Sequence, residues 1–329
     1  MSIQEEIVIN GTLAVVRAVH FAAVLGLEGA VVFRFAVVAP GLRKGGILAA
    51  PLRWTRWIVA IGWCLAVLSG AAWLVVLGSQ ISGQSVIDAL RGGIDWILLT
   101  ETQFGLAWQW RGGIAGLLVV ALLLAQGSSK RARWSAGAGI VLGVALSGSL
   151  AWSGHGAATP GAIGDLHLAA DIMHLVVAGL WLGGLLPFAE ILLCAMHGSL
   201  PIADAAEVTR RFSTLAAASV AALLLTGIVN SWVLVGTISG LVNTLYGRLL
   251  LVKIGLFLLM FAFAAVNRIR LTPCLAYMTC RARRAANHLA IHALCELALG
   301  AAILAIVAVL GTLQPAPHLA DMPMAHMRQ

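Results

Sequence analysis

The chain has 329 residues, of which 60% are apolar and only 10% charged, and its mean hydropathy is +0.96. A soluble domain carries about 25% charged residues, so this composition excludes a water-covered globular protein. The net charge of +8 does not point to nucleic acid, because Lys and Arg fall in short clusters between apolar runs, where they set topology and meet anionic membrane lipid.

Met1 to Asn10 carries Glu5 and Glu6 and no basic residue, so no cleavable leader is expected and the first apolar run reads as a retained helix. Runs of about 20 apolar residues, each enough to cross a hydrocarbon core, then recur along the chain. They predict spans at about 12–38, 56–78, 105–126, 134–152, 165–190, 212–236, 246–266 and 288–312. The segment from Ser82 to Gln103 mixes Asp88, Arg91, Asp95 and Glu101 with Ile, Leu and Trp, and is expected to lie along the interface. The expected fold is all-α: a polytopic membrane bundle of about eight transmembrane helices, forming one domain over 1–314. A flexible tail follows over 315–329. Five cysteines without CxxC spacing read as free, packed thiols.

Basic residues alternate between connections. Arg43, Lys44, Arg53 and Arg56 follow the first span, and Lys130, Arg131 and Arg133 the third. Arg210 and Arg211 follow the fifth, and Arg268, Arg270, Arg281, Arg283 and Arg284 the seventh. The intervening connections carry little beyond Arg91 and Arg248. Positive loops stay inside, so both termini are expected to face away from the cytoplasm.

Ionisable groups at membrane depth are functional candidates by default. With a rise of 1.5 Å per residue, His20 is expected roughly 12 Å below the outer surface and Glu28 near the middle. The sequence Ser153-Gly154-His155-Gly156 joins spans four and five at the outer side, and span five descends with His167, Asp171 and His174. Spacings of four and three put these on one helical face. His20, His155, His167 and His174 thus fall in the outer third, where imidazoles suit copper, zinc or iron. Asp171 could orient an imidazole from behind. Space-filling histidines bonded to facing helices are the plainer alternative.

Span eight carries His288, His292, Cys295 and Glu296 on one face of its inner half. His288 and His292 can also snorkel beside Arg283 and Arg284. Glu296 lies deeper and needs a proton or a partner, for which Lys253 and Arg17 are candidates. In the tail, His318, Met322, Met324, His326 and Met327 make a soft thioether and imidazole set suited to Cu(I). No Walker A loop and no GxGxxG entering a helix is found, which argues against ATP-driven pumping by this chain. The glycines from Gly179 to Gly184 are expected to let helices approach closely.

Several stretches together resemble the CopD/PcoD family of copper-resistance inner-membrane proteins. They are SGHG with DIMHLVVAGLWLGGLLPF (Trp152–Pro187), RFSTLAAASVAALLLTGIVNSWVLVG (Arg211–Gly236), YGRLLLVKIGLFLLMFAFAAVNRIRLTP (Tyr246–Pro273), Glu296 and, more loosely, VRAVHFAAVLG in span one. The resemblance implies a bacterial inner-membrane protein with periplasmic termini that moves copper, as Cu(I) or Cu(II), and is not an enzyme. A periplasmic CopC-like copper carrier is the implied partner. It also implies distant kinship with b561-type membrane cytochromes, which keeps a haem alternative open, with His20 and His174 as a possible axial pair. In the copper reading, the ion binds among the four outer histidines. It then passes Asp171, Glu28 or Glu296 towards the face of His288, His292 and Cys295. A scaffold whose polar groups only fix packing is the third reading.

Overall fold

The computed structural model describes residues 3–38, 49–127, 129–154, 161–277 and 282–314. Its helices, in chain order, begin with α1 (Ile3–Val32, continued by a π-helical turn Phe33–Val37), α2 (Ala49–Ser82), α3 (Val86–Arg91) and α4 (Ile94–Glu101). The middle of the chain forms α5 (Gln103–Leu124), α6 (Lys130–Gly148, continued by a 3₁₀ turn Ser149–Ser153), α7 (Gly161–Met196) and α8 (Ile202–Val235). Then come α9 (Ile238–Asn243), α10 (Leu245–Val266, continued by a π-helical turn Asn267–Leu271), α11 (Thr272–Ala276) and α12 (Ala282–Leu310).

Among the described residues eight helices are long and apolar enough to cross a membrane, one for each expected span. Several outrun their apolar runs: α7 has 36 residues and continues through Pro187, and α8 has 34, extending before its apolar run and ending at Gly236. Helix starts are fixed by short polar caps. The Ser85, Thr102, Ser129, Thr237 and Thr244 side chains each accept a hydrogen bond from a backbone N–H of the first turn, which satisfies one of the donors a helix leaves free there. The mixed segment after α2 resolves into α3 and α4, both too short to span, with Ile87, Trp96 and Ile97 exposed.

Two helices are central. The most apolar stretches of α1 and α7 are each 67% buried, against 39% or less for the other six, so those six present most of the lipid-facing surface. One packing cluster joins α1 to α2, α5 and α6 around Phe21, Trp73, Leu118 and Leu146. A second joins α7 to α8 and α12 around Trp181, Phe188, Phe212 and Leu289.

The seam between α1 and α7 is glycine on both sides, as the run from Gly179 to Gly184 predicts. A Cβ added at Gly29 would overlap backbone atoms of Gly179 and Gly183, and one at Gly183 would overlap the Leu25 carbonyl. Close approach of this kind is what small residues four apart allow in lipid, where no hydrophobic force draws helices together. Cys64, Cys194, Cys274 and Cys295 are free thiols, and Cys280 lies outside the described residues.

Candidate functional site

Next to this seam, α1, α7, α8, α10 and α12 line a partly open cavity of about 500 Å³. Its wall is mostly aliphatic, but α7 sends His167, Asp171 and His174 into it together, as their shared helical face predicts. Asn230 and Ser231 of α8, Tyr246 and Lys253 of α10 and Arg17 of α1 also contribute to its polar lining. Gly154, Leu310 and Gly311 also line it, so it lies towards the end of the bundle where α6 finishes and α7 begins. That is the end whose connections carry few basic residues.

Hydrogen bonding fixes the chemistry of His174. Its Nδ1 is 2.9 Å from the Thr226 hydroxyl, and that hydroxyl donates its only proton to the Ala222 carbonyl at 2.7 Å. Thr226 can therefore only accept, which places a proton on Nδ1 and leaves Nε2 as a free lone pair. An imidazole in this form is a ready ligand for a soft or borderline metal ion. Thr226, rather than Asp171, thus orients this ring, while the Asp171 carboxylate takes the Asn230 amide at 3.5 Å. His167 is buried at the same wall, 1% exposed.

His20 belongs elsewhere. It is buried towards α2 and α5, with Nδ1 3.1 Å from the Ser69 hydroxyl and its ring packed against Trp73 and Trp108. It does not line the cavity that holds His167 and His174. Ser69 donates to the Leu65 carbonyl at 2.5 Å, so His20 too carries its proton on Nδ1, and its Nε2 has no hydrogen-bond partner. The axial pairing of His20 with His174 around a haem finds no support in this arrangement. His155 and the tail residues His318, Met322, Met324, His326 and Met327 lie outside the described residues. Among the described residues no three His, Cys, Asp or Glu side chains converge as a preformed metal site.

Glu28 is fully buried, and neither carboxyl oxygen has a hydrogen-bond partner. Its carboxyl fills the space that a side chain on Gly179 would need, and Gly143 of α6 faces its backbone. Its role is tied to the seam between the central helices, and it does not line the cavity.

Glu296 is partnered neither by Lys253 nor by Arg17, the two cations the sequence suggests. The Trp181 indole donates to its Oε2 at 3.2 Å and the Asn267 amide to its Oε1 at 2.8 Å. Lys253 and Arg17 instead line the cavity, with the Arg17 guanidinium over the Trp73 ring. His292 does not simply reach for the interface: its Nδ1 bonds the Asn267 side-chain Oδ1 at 2.7 Å, and the rings of His292 and His288 are 6.5 Å apart. Cys295 is half-buried on the same helix.

Around the cavity and Glu296, sequence reasoning overlooks three uncharged residues. Thr226, Asn230 and Asn267 each interrupt an apolar run, and that is the signal by which they could be found. Arg111 is also overlooked. It is buried within α5, stacked on Trp108, and donates to the Ser149 hydroxyl, the Ser149 carbonyl and the Ser153 hydroxyl at 3.1, 2.8 and 2.9 Å. These bonds clamp the turn that leads into the segment containing His155.

Comparison with known proteins agrees with the resemblance. The family model for the copper resistance protein D-like N-terminal domain matches residues 8–165, and that for copper resistance protein D matches 206–310. Copper resistance protein D of Pseudomonas syringae pv. tomato is 34% identical over 263 residues, covering 75% of this chain and 83% of the relative. Inner membrane protein YebZ of Escherichia coli (strain K12) is 29% identical over 320 residues, 92% of this chain and 98% of the relative. Copper transport protein CutJ of Bacillus subtilis (strain 168) is 29% identical over 229 residues, 68% of this chain but 39% of the relative. No solved structure matches the chain. With eight membrane-capable helices and these relatives, the chain is a multi-pass inner-membrane protein that belongs to the copper resistance protein D family.

Proposed function

We propose that this protein carries copper ions across the inner membrane, and that the cavity walled by His167, Asp171 and His174 is where the ion is held. The observation that carries this reading is the engagement of His174 Nδ1 by Thr226 at the wall of a cavity beside a carboxylate, which leaves Nε2 for a ligand. The relatives named for copper resistance and copper transport support copper as the cargo. Lys253 and Arg17 share the cavity with a single carboxylate, Asp171. That balance suits a soft monovalent ion held by imidazole better than a hard divalent one, so Cu(I) is the proposed form.

The cavity end faces the periplasm in this account, because the opposite connections hold the clustered Lys and Arg residues and positive loops stay inside. Copper arrives from a CopC-like periplasmic carrier. The protein acts as a carrier and not as an enzyme. Copper titration of the detergent-purified protein tests the site. About one ion per chain is expected to be lost in the His167→Ala/His174→Ala double variant, and undiminished binding would overturn the assignment.

A further inference from the structure

On the far side of Trp181 from the cavity lies a second polar assembly that copper binding does not use. Glu296 is buried, 2% exposed, and its two hydrogen bonds come from neutral groups, the Trp181 indole and the Asn267 amide. Asn267 in turn accepts from His292. It opens the π-helical turn after α10, a wider turn of the kind often found at functional sites.

Donor counting shows that this chain has two complete states. In one state Glu296 is a carboxylate, both of whose oxygens receive N–H donors. The Asn267 amide points its NH₂ at Glu296 and its oxygen at His292, which therefore holds its proton on Nδ1. If Glu296 gains a proton, its O–H needs an acceptor, and rotating the Asn267 amide by half a turn supplies one. The Asn267 NH₂ then faces His292, whose proton must reside on Nε2. One proton added thus inverts both hydrogen bonds that link Glu296 to His292 through Asn267. A hydrogen-bond chain with two arrangements is a bistable element.

We propose that Glu296 is a proton-binding site whose occupancy alternates with that of the cavity, read out by rotation of the Asn267 amide. The inference rests on the cavity being the copper site. The two sites share Trp181, whose ring lines the cavity while its N–H bonds Glu296. Gly300, one turn from Glu296, also lines the cavity. A cation entering there favours the carboxylate, so one proton leaves Glu296 as one ion binds. By reciprocity a proton on Glu296 weakens ion binding by the same factor. His292 and His288 extend the chain towards the end bearing Arg283 and Arg284, which gives the proton its exit.

Other charged groups stand on the elements packed around Glu296. They include Arg17, His20, Glu28 and Arg34 on α1 and the turn that continues it, Asp165, His167, Asp171, His174 and Glu190 on α7, Arg248 and Lys253 on α10, Arg268 and Arg270 beyond it, and Arg283, Arg284, His288 and His292 on α12 itself. Arg268 is committed to Ser213, and Glu190 bonds Thr55. Ligand residues of the cavity also release protons when copper binds, so only the difference between variants isolates Glu296.

The test is proton release on adding Cu(I) to the purified full chain in weak buffer, read by a pH-sensitive dye, for wild type and Glu296→Gln. Glutamine reproduces the protonated state, because its NH₂ can donate to a rotated Asn267, so the fold is expected to survive. Copper binding is expected in both, with about one proton fewer released per ion in Glu296→Gln. Selective ¹⁵N labelling of histidine supplies a second readout, with the His292 proton on Nδ1 in copper-loaded wild type and on Nε2 both in copper-free wild type and in the variant. Equal proton release with copper still bound, or an unchanged His292 tautomer, overturns the proton site. Loss of copper binding in wild type itself instead overturns the copper reading on which it rests.

Discussion

The glycine seam gives a sharp test of how this bundle holds its central helices together. Gly26 and Gly29 lie within one turn of each other on α1, yet their surroundings differ. A Cβ at Gly26 would meet nothing within 4 Å, whereas one at Gly29 would overlap the Gly183 backbone and the Gly179 carbonyl. Ordinary carbon contacts lie at roughly 3.5–4 Å, so Gly29→Ala forces α1 and α7 apart by more than about 1 Å. No rotamer change can relieve this, because the opposing atoms are backbone. Overpacking a core by a single group typically costs about 1–3 kcal/mol. The upper part of that range or beyond is expected here, since the displaced pair holds the two most buried helices. Gly26→Ala should be neutral, or more stable by up to about 1 kcal/mol from helix propensity alone. Thermal unfolding in detergent, followed by reaction of the half-buried Cys194 and Cys295 with a thiol dye, reads both. Equal stability of the two variants would refute the close-packed seam.

Thr226→Val is expected to weaken copper binding by about 10–100-fold, the usual cost of removing the group that orients a ligand, and His20→Ala to leave the copper count per chain unchanged. Titration of both purified variants decides this, and a copper count that falls in His20→Ala would return that residue to the site. Arg111→Met removes three charge-assisted hydrogen bonds, each worth roughly 1.5–3 kcal/mol in isolation. A stability loss of about 3 kcal/mol or more is expected in the same unfolding assay. Arg111→Lys should not rescue it, because an ammonium cannot span Ser149 and Ser153 as the forked guanidinium does.

The architecture is legible in the sequence because a bilayer admits little else. Lipid cannot satisfy backbone groups, so apolar runs of this length must be helices, and each of the eight appears where its run predicts. The shared face of His167, Asp171 and His174 is also legible, since helical period alone determines it. What the period cannot give is which face turns inward on a different helix. His20 lies at a similar expected depth to His174, but α1 turns it towards Ser69 and Trp108. The partners of Glu296 are hidden for a related reason. A search for countercharges looks to Lys253 and Arg17, whereas the structure satisfies the carboxylate with an indole and an amide. Asn267 reaches it from the turn that ends α10, a position no local pattern announces.

Uptake of radiocopper, supplied as Cu(I), into proteoliposomes holding the purified protein addresses the transport claim most directly. Accumulation above that of protein-free vesicles is expected for wild type and for His20→Ala, with loss for His174→Ala. No uptake by wild type, or undiminished uptake by His174→Ala, would contradict the account.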